Sequence, residues 1–456
     1  ISRNSLATIP DTMKSLKYLK FLDLSVNPLE KLPDAVTNLI ALQELYLNDT
    51  YLEYLPGNFG RLANLHILEL RDNYLMILPK SLSRSIELLR LDIGQNELQQ
   101  FPEVIGRFLK LKELWIDNNS LTSIPSIVKP LENLIHLEAS NNMIEEIAPE
   151  LGYCSQLVDL SLSSNSLTQL PDSIGQLSNL TTLKLDNNRL YSLPESIGQM
   201  TNLEELMLMC NYLDKLPSSI GLLRKLQYVN IDDNMLRSIP PEIGSCSKLA
   251  VLSLRSNKLT KIPPEVGHLS SLRVLNLVRN LRLDIGQNEL QQFPEVIGRF
   301  LKLKELWIDN NSLTSIPSIV KPLENLIHLE ASNNMIEEIA PELGYCSQLV
   351  DLSLSSNSLT QLPDSIGQLS NLTTLKLDNN RLYSLPESIG QMTNLEELML
   401  MCNYLDKLPS SIGLLRKLQY VNIDDNMLRS IPPEIGSCSK LAVLSLRSNK
   451  LTKIPP

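Results

Sequence analysis

An asparagine returns at every twenty-third residue along most of this chain. Asn27, Asn73, Asn96, Asn119, Asn142, Asn165, Asn188, Asn211, Asn234 and Asn257 keep the period, with Asn4 and Asn280 at its ends and Thr50 as its one substitution. Around each mark the letters read LxxLxLxxN and then xLxxLPxxIxxL. Residues 157–179, LVDLSLSSNSLTQLPDSIGQLSN, carry the unit whole. A unit this short cannot enclose a core of its own, so its leucines must be covered by the units before and after it.

Each position in the unit has a physical task. In LVDLSL the leucines alternate with polar residues, which predicts a short strand with one face inward. The Asn turns the chain, and its amide can donate and accept, satisfying backbone groups in its own coil and the next. The proline of LTQLP suits a descending stretch that needs no ladder hydrogen bond. PDSIGQLSN predicts a short helical turn on the outer side, led by Asp172 or Ser173. Stacked, these coils predict an α/β repeat solenoid, a horseshoe whose concave side is a parallel sheet with strands roughly 4.8 Å apart. The pattern has the form of the leucine-rich repeat signature.

The period fails once, in LNLVRNLRLDIGQN at 275–288, where Asn280 and Asn288 stand only eight positions apart. Residues 281–456 repeat residues 89–264 letter for letter. The chain therefore divides into a leucine-rich repeat array over 1–280 and a second block, 281–456, that copies part of it. Eight residues cannot circle a core that takes twenty-three, so the stack is predicted to break or kink at the junction. Exact identity together with a phase error is the signature of an artefact of assembly, gene prediction or cloning; a very recent tandem exon duplication is the alternative. Function is accordingly read from 1–280, with Trp307 as the duplicate of Trp115.

A formal charge of −10 argues against nucleic acid and anionic membranes as partners. No apolar run approaches the roughly eighteen residues that cross a bilayer, so direct membrane insertion is not expected. The start, ISRNSLATIP, has no basic segment followed by an apolar core. It reads as the middle of a repeat, which suggests a truncated N-terminus. Cys154, Cys210 and Cys246, with their copies Cys346, Cys402 and Cys438, show neither CxxC nor metal-type spacing and favour a reducing cytosol. Cys154 in GYCSQL and Cys246 in GSCSKL are predicted to be buried in outer turns, and Cys210 partly exposed. The sequons at Asn48, Asn118 and Asn179 are read as chance. No phosphate-binding loop, zinc-protease motif, nucleophile elbow or kinase set occurs, and His66, His136 and His268 lie far apart. The reading is a binding protein that is not an enzyme and uses no cofactor or metal; the alternatives are an extracellular receptor ectodomain, which would need cysteine-rich caps, and the binding region of an enzyme whose catalytic domain is missing here.

LDLSVNPLEKLPDAVTNLIALQELYLND followed by YLEYLPGNFGRLANLHILELRDN resembles the N-terminal repeats of the LAP family, scaffolds that join leucine-rich repeats to PDZ domains, in its Erbin and Densin branch. LPSSIGLLRKL and LPPEIGSCSKLAVLSLRSNKL extend the likeness over residues 15–280. Neither the GLGF-type loop of a PDZ domain nor the family's Cys-rich anchoring stretch is in this sequence. The resemblance implies a cytoplasmic scaffold at the basolateral membrane or cell junctions, concerned with polarity and small-GTPase signalling.

Reading the outward strand positions down the stack puts Tyr46, Glu69, Asp92, Trp115, Glu138, Lys184 and Met207 in one concave column. Arg71, Arg90, Glu113, Asp117, His136, Met209 and Tyr228 stand in the neighbouring ones. From Glu44 to Asp159 this face is acidic, with two aromatics and two arginines set into it. Carboxylates stacked at strand spacing repel one another, a cost that a partner with a basic rim would relieve; the plainer reading is a solvated face that keeps the array soluble. Trp115 is the residue type that anchors interfaces, unless its ring lies flat on its neighbours. Met207 and Met209 could form an adaptable apolar patch. The partner expected is a protein, such as a small GTPase or junction protein.

Overall fold

A computed structural model describes residues 1–277 and 290–453; Asn280, Leu281 and Asn288 lie outside the described residues. The chain divides into two compact units, Ile1–Leu226 and Gln227–Pro456, a division that does not coincide with the phase break.

In the first unit each LxL becomes a three-residue strand. These are β1 (Phe21–Asp23), β2 (Glu44–Tyr46), β3 (Ile67–Glu69), β4 (Arg90–Asp92) and β5 (Glu113–Trp115), then β7 (His136–Glu138), β9 (Asp159–Ser161), β10 (Thr182–Lys184) and β11 (Glu205–Met207). All pair in parallel in that order, each residue facing the one twenty-three positions on, as Leu91 faces Leu114 and Leu114 faces Leu137. Two further short strands, β6 (Ser123–Ile124) and β8 (Glu146–Ile147), pair on the descending leg. The second unit repeats the plan with β12 (Tyr228–Asn230), β13 (Val251–Ser253), β14 (Val274–Asn276), β15 (Glu305–Trp307), β17 (His328–Glu330), β19 (Asp351–Ser353), β20 (Thr374–Lys376), β21 (Glu397–Met399), β22 (Tyr420–Asn422) and β23 (Val443–Ser445), and with β16 (Ser315–Ile316) beside β18 (Glu338–Ile339).

The core is a leucine stack. Leu45, Leu68, Leu91, Leu114, Leu137 and Leu160 are wholly buried at the strand centres, each contributing about 1.5–3 kcal/mol relative to exposure. The outer turns are almost all five-residue 3-10 turns, as at Asp172–Gln176. The residue before that turn is Pro171 and no side chain caps it, so Asp172 and Ser173 do not play the capping part the sequence suggests. The turns pack closely: a Cβ on Gly175 would lie 2.3 Å from the Ser196 carbonyl oxygen of the next coil. Cys154 and Cys246 are buried where these turns end, as expected, and burial pushes the Cys154 thiol up to about 12. Cys210 is half-buried.

The asparagines bind backward. Asn188 donates to the Leu162 carbonyl of the preceding coil at 2.9 Å and to its own Leu185 carbonyl at 3.1 Å, while its Oδ1 accepts from Leu167 N at 3.0 Å. The coil served besides its own is thus the one before, not the one after. Thr50 lacks the bond to the preceding coil; its hydroxyl meets the Leu47 carbonyl of its own coil at 2.8 Å and Asn73 Oδ1 of the next coil at 2.9 Å. The residue before each mark turns in the left-handed region, with φ of 52° at Asn118 and 55° at Cys210.

The predicted break of the stack does not appear in the sheet. β14 pairs in parallel register with β15, Val274 facing Glu305 and Asn276 facing Trp307. The ladder therefore continues across the phase error, where an interruption would uncover two leucine-lined ends.

Candidate functional site

Register builds the site. On the solvent side of the sheet, Arg90 faces Glu113, which faces His136; Asp92 faces Trp115, which faces Glu138. Three consecutive coils thus bring one arginine, one indole and one imidazole side by side. Arg90 reaches Glu69 at 3.0 Å and Glu113 at 3.4 Å, and its guanidinium carbon lies 4.3 Å from the Trp115 ring centroid. A planar guanidinium over an indole adds about 0.5–1 kcal/mol at a partly exposed site. On the other side the His136 ring centre is 4.8 Å from that of Trp115, tilted by 39°, and His136 Nδ1 is 3.4 Å from Asp159. Trp115 is therefore half-buried in a stack rather than standing free. The bond from His136 holds the Asp159 carboxyl below its ordinary value.

A second tie crosses two coils. Arg71 pairs bidentately with Asp117, forty-six residues on, and also meets Asp92 at 3.4 Å. Between them lies Gly94, where a Cβ would come within 2.4 Å of Arg71 Nη1 and 2.6 Å of Asp117 Oδ1. The missing side chain gives the arginine its path. The hydrogen bonds that Arg71 donates to Asp117 raise its pKa further, keeping it charged. Burial pushes the Asp92 carboxyl up, opposed by the Gly94 N–H and by Arg71. Side chains of Asp92 and Asp117 are only 9% and 6% exposed, so these two acids serve the sheet and offer no free charge to a partner.

Other predicted residues stand apart. Tyr46 donates to Glu44 at 3.0 Å and leans on Phe21; burial and that carboxylate push its phenol up to about 12. Glu69 also accepts from Asn48 at 2.8 Å. Glu138 accepts from Ser140 N. Lys184 lies between Ser161 and Met207 in register. Met207 and Met209 are half-buried, and Tyr228 belongs to the second unit. The structure therefore joins Glu69, Arg71, Arg90, Asp92, Glu113, Trp115, Asp117 and His136 into one connected patch, with Glu138 facing Trp115 at its margin, and leaves Tyr46, Lys184, Met207 and Met209 outside it. Gly94 escaped the sequence reading, although Arg71, Gly94 and Asp117 occupy the same place in three consecutive repeats.

Three buried polar atoms of this patch have no hydrogen-bond partner among the described residues: Arg90 Nε, His136 Nε2 and Asp159 Oδ1. Among the described residues no group of three His, Cys, Asp or Glu side chains could hold a metal, and no helix is long and apolar enough to cross a membrane.

A leucine rich repeat family model matches residues 140–190, 178–236, 224–281, 332–382 and 370–428, together over half of the chain. Among solved structures, a leucine-rich repeat protein of Leptospira interrogans is 35% identical, with 86% of this chain and 92% of that one covered and a TM-score of 0.71. YopM of Yersinia enterocolitica is 25% identical over 96% of this chain and 84% of its own, at a TM-score of 0.70. The PEPR1 chain of the PEPR1–AtPEP1 structure shares the fold at 24% identity, covering 96% and 73%, with a TM-score of 0.63. No curated protein matches the chain.

Proposed function

The chain belongs to the leucine-rich repeat family, and on that premise we propose that it is a non-catalytic interaction scaffold whose concave sheet face docks a protein partner around Trp115. The observation that carries this reading is the Arg90–Trp115–His136 stack. It sets a half-buried aromatic surface between a guanidinium and an imidazole, each paired with a carboxylate, the composition of an interface anchor. Glu113, with its side chain 43% exposed, and Glu138 supply the accessible acid beside it. They suit a partner with a basic rim, whose association slows as salt screens the attraction.

The finer reading is a cytoplasmic scaffold of LAP type at the basolateral membrane or cell junctions, its partner a small GTPase or junction protein. Six scattered cysteines, with neither CxxC nor metal-type spacing, support a reducing compartment. A receptor-type ectodomain is the second reading; the likeness to PEPR1, seen with AtPEP1, favours it, but reaches the fold alone.

The test pairs Trp115→Ala with Glu138→Lys. Partners recovered on the immobilised chain are quantified by mass spectrometry, and direct affinities follow for each. A true sheet-face partner loses at least about tenfold in affinity while the circular dichroism of the array is unchanged. Partner lists that are the same for wild type and variant would overturn the assignment.

A further inference from the structure

The outer turns carry a charge pattern that the sheet face does not. Three consecutive ones, Phe59–Arg61, Lys80–Arg84 and Glu103–Arg107, all end in arginine, where later coils hold Pro130, Tyr153, Gln176 and Gln199. Successive turns pack on one another, and Gly60 N donates to Ser81 Oγ of the next coil at 3.1 Å. Arg61, Arg84 and Arg107 therefore form one column, a guanidinium to each coil. All three are exposed, and among the described residues none has an ion pair. Arg71 and Arg90 on the sheet face, by contrast, each meet two carboxylates. Glu87, three residues past Arg84, is held by Lys110 at 2.6 Å, and Glu103, at the far end of its turn from Arg107, is the one acid within the three turns. Two residues past each arginine stand Ala63, Ile86 and Leu109, exposed as well. Like charges held side by side repel, a cost that an anionic partner removes.

We infer that this column docks an acidic amphipathic α-helix of a protein partner, laid across the three coils. Carboxylates at i, i+4 and i+7 of a helix recur about every 5.4 Å of rise, close to the roughly 4.8 Å between stacked coils at the sheet. Alternate residues of an extended strand stand about 6.7 Å apart and are out of step by the third arginine. Each guanidinium grips a carboxylate through two parallel N–H···O bonds, while Ile86 and Leu109 meet the adjoining apolar stripe of the helix. A single file of cations suits one rod-like partner; an anionic membrane surface would also meet Glu103 and a chain of formal charge −10. The second block has no counterpart. Arg299 copies Arg107, but the turn before it ends in His268. The chain therefore carries one such site, and Trp115 is not part of it.

Fluorescence anisotropy with the full chain tests this. The probe is a labelled, side-chain-stapled, alanine-based helical peptide with glutamate at i, i+4, i+7 and i+11 and leucine on the next stripe; a scrambled peptide of the same composition is its counterpart. The striped peptide binds at one site per chain, more weakly as salt rises, and the scrambled one does not. R61E/R84E/R107E, all at exposed positions, lowers affinity at least about tenfold with the circular dichroism unchanged. R299E leaves the affinity as it was, and so does Trp115→Ala, which separates this site from the sheet face. Phosphatidylserine vesicles do not sediment the chain. Equal binding of the two peptides, no binding of the striped one, its loss with Trp115→Ala, or vesicle binding that R61E/R84E/R107E removes would each overturn the proposal.

Discussion

The letters ELWIDNN stand at 113–119 and again at 305–311, yet the two tryptophans keep different company. Trp115 follows a strand that carries Arg90 and Asp92; Trp307 follows one that carries Val274 and Asn276. The first indole is held between a guanidinium and an imidazole. The second closes to 4.2 Å on His328, turns its Nε1 to Glu305 at 3.3 Å, and has its histidine 3.8 Å from Asp351 where the first has 3.4 Å. Asp117 is gripped by Arg71, whereas Asp309 Oδ1 is buried without a partner among the described residues. A site in a solenoid is thus a property of three neighbouring coils, and copying one coil letter for letter does not copy its site. The expectation that Trp307 duplicates Trp115 holds for the sequence and fails for the surroundings.

The largest contrast should come from the ladder asparagines. Asn119 donates to Ile93 at 3.0 Å in the coil before and accepts from Leu98 N at 2.9 Å. Asn311 makes the corresponding donation to Leu277 at 3.0 Å, but its Oδ1 has no partner among the described residues. Asn119→Ala leaves a buried donor and a buried acceptor unmet, a loss of about 2–3 kcal/mol; Asn311→Ala should cost about 1 kcal/mol less. Urea unfolding followed by the one tryptophan left in a Trp307→Phe or Trp115→Phe background reads each region separately. Equal losses would mean that the acceptor bond contributes nothing, and the comparison of the two coils would collapse.

Gly94→Val asks whether the Arg71 bridge is what sets the patches apart. A branched side chain there displaces the guanidinium and strands the Asp117 carboxylate, so the first patch should come to resemble the second. The expected loss is about 1–2 kcal/mol, together with greater iodide quenching of Trp115. Arg71→Met, which removes the same bridge without crowding Gly94, should reproduce most of that loss. If it does not, overpacking rather than the ion pair explains the valine variant.

The repeat made the fold legible because every coil answers the same burial problem. Leucine at fixed spacing named the strands, and the Asn marks located the turns. What escaped the reading lies between coils. Arg71 and Asp117 are forty-six residues apart and meet only because Gly94 is between them, a relation seen when three repeats are aligned by column rather than one at a time. Ala148, where the neighbouring coils carry Pro125 and Pro171, donates to the Ile124 carbonyl at 2.8 Å, a hydrogen bond that the repeat pattern treats as noise. At the phase error the eight-residue spacing predicted a break in the stack, whereas the ladder passes from Asn276 to Trp307 and keeps the leucine-lined ends covered. In the acidic column Arg71 pairs with Asp92 and Asp117, and Arg90 with Glu69 and Glu113, ion pairs between coils that a reading of single columns does not reveal.

The smallest contrast is one of pH. Burial raises the Asp309 carboxyl above its ordinary value, opposed by the amide of Asn310, while the hydrogen bond from His136 lowers Asp159. A group whose folded pKa is raised binds protons more tightly when folded, so Asp309 weighs against the fold at neutral pH. That penalty fades as pH falls through its folded pKa and is gone below the unfolded value. Asp159 behaves in the opposite sense: its contribution is present above its unfolded pKa and is lost as pH falls through the folded one. Asp309→Asn should therefore stabilise the second unit by about 0.5–1 kcal/mol at neutral pH, a gain that shrinks toward zero on acidification. Asp159→Asn should destabilise the first unit at neutral pH and converge on wild type in acid. If both variants shifted the same way with pH, the two patches would share one electrostatic environment, and the difference between their neighbouring strands would carry no weight.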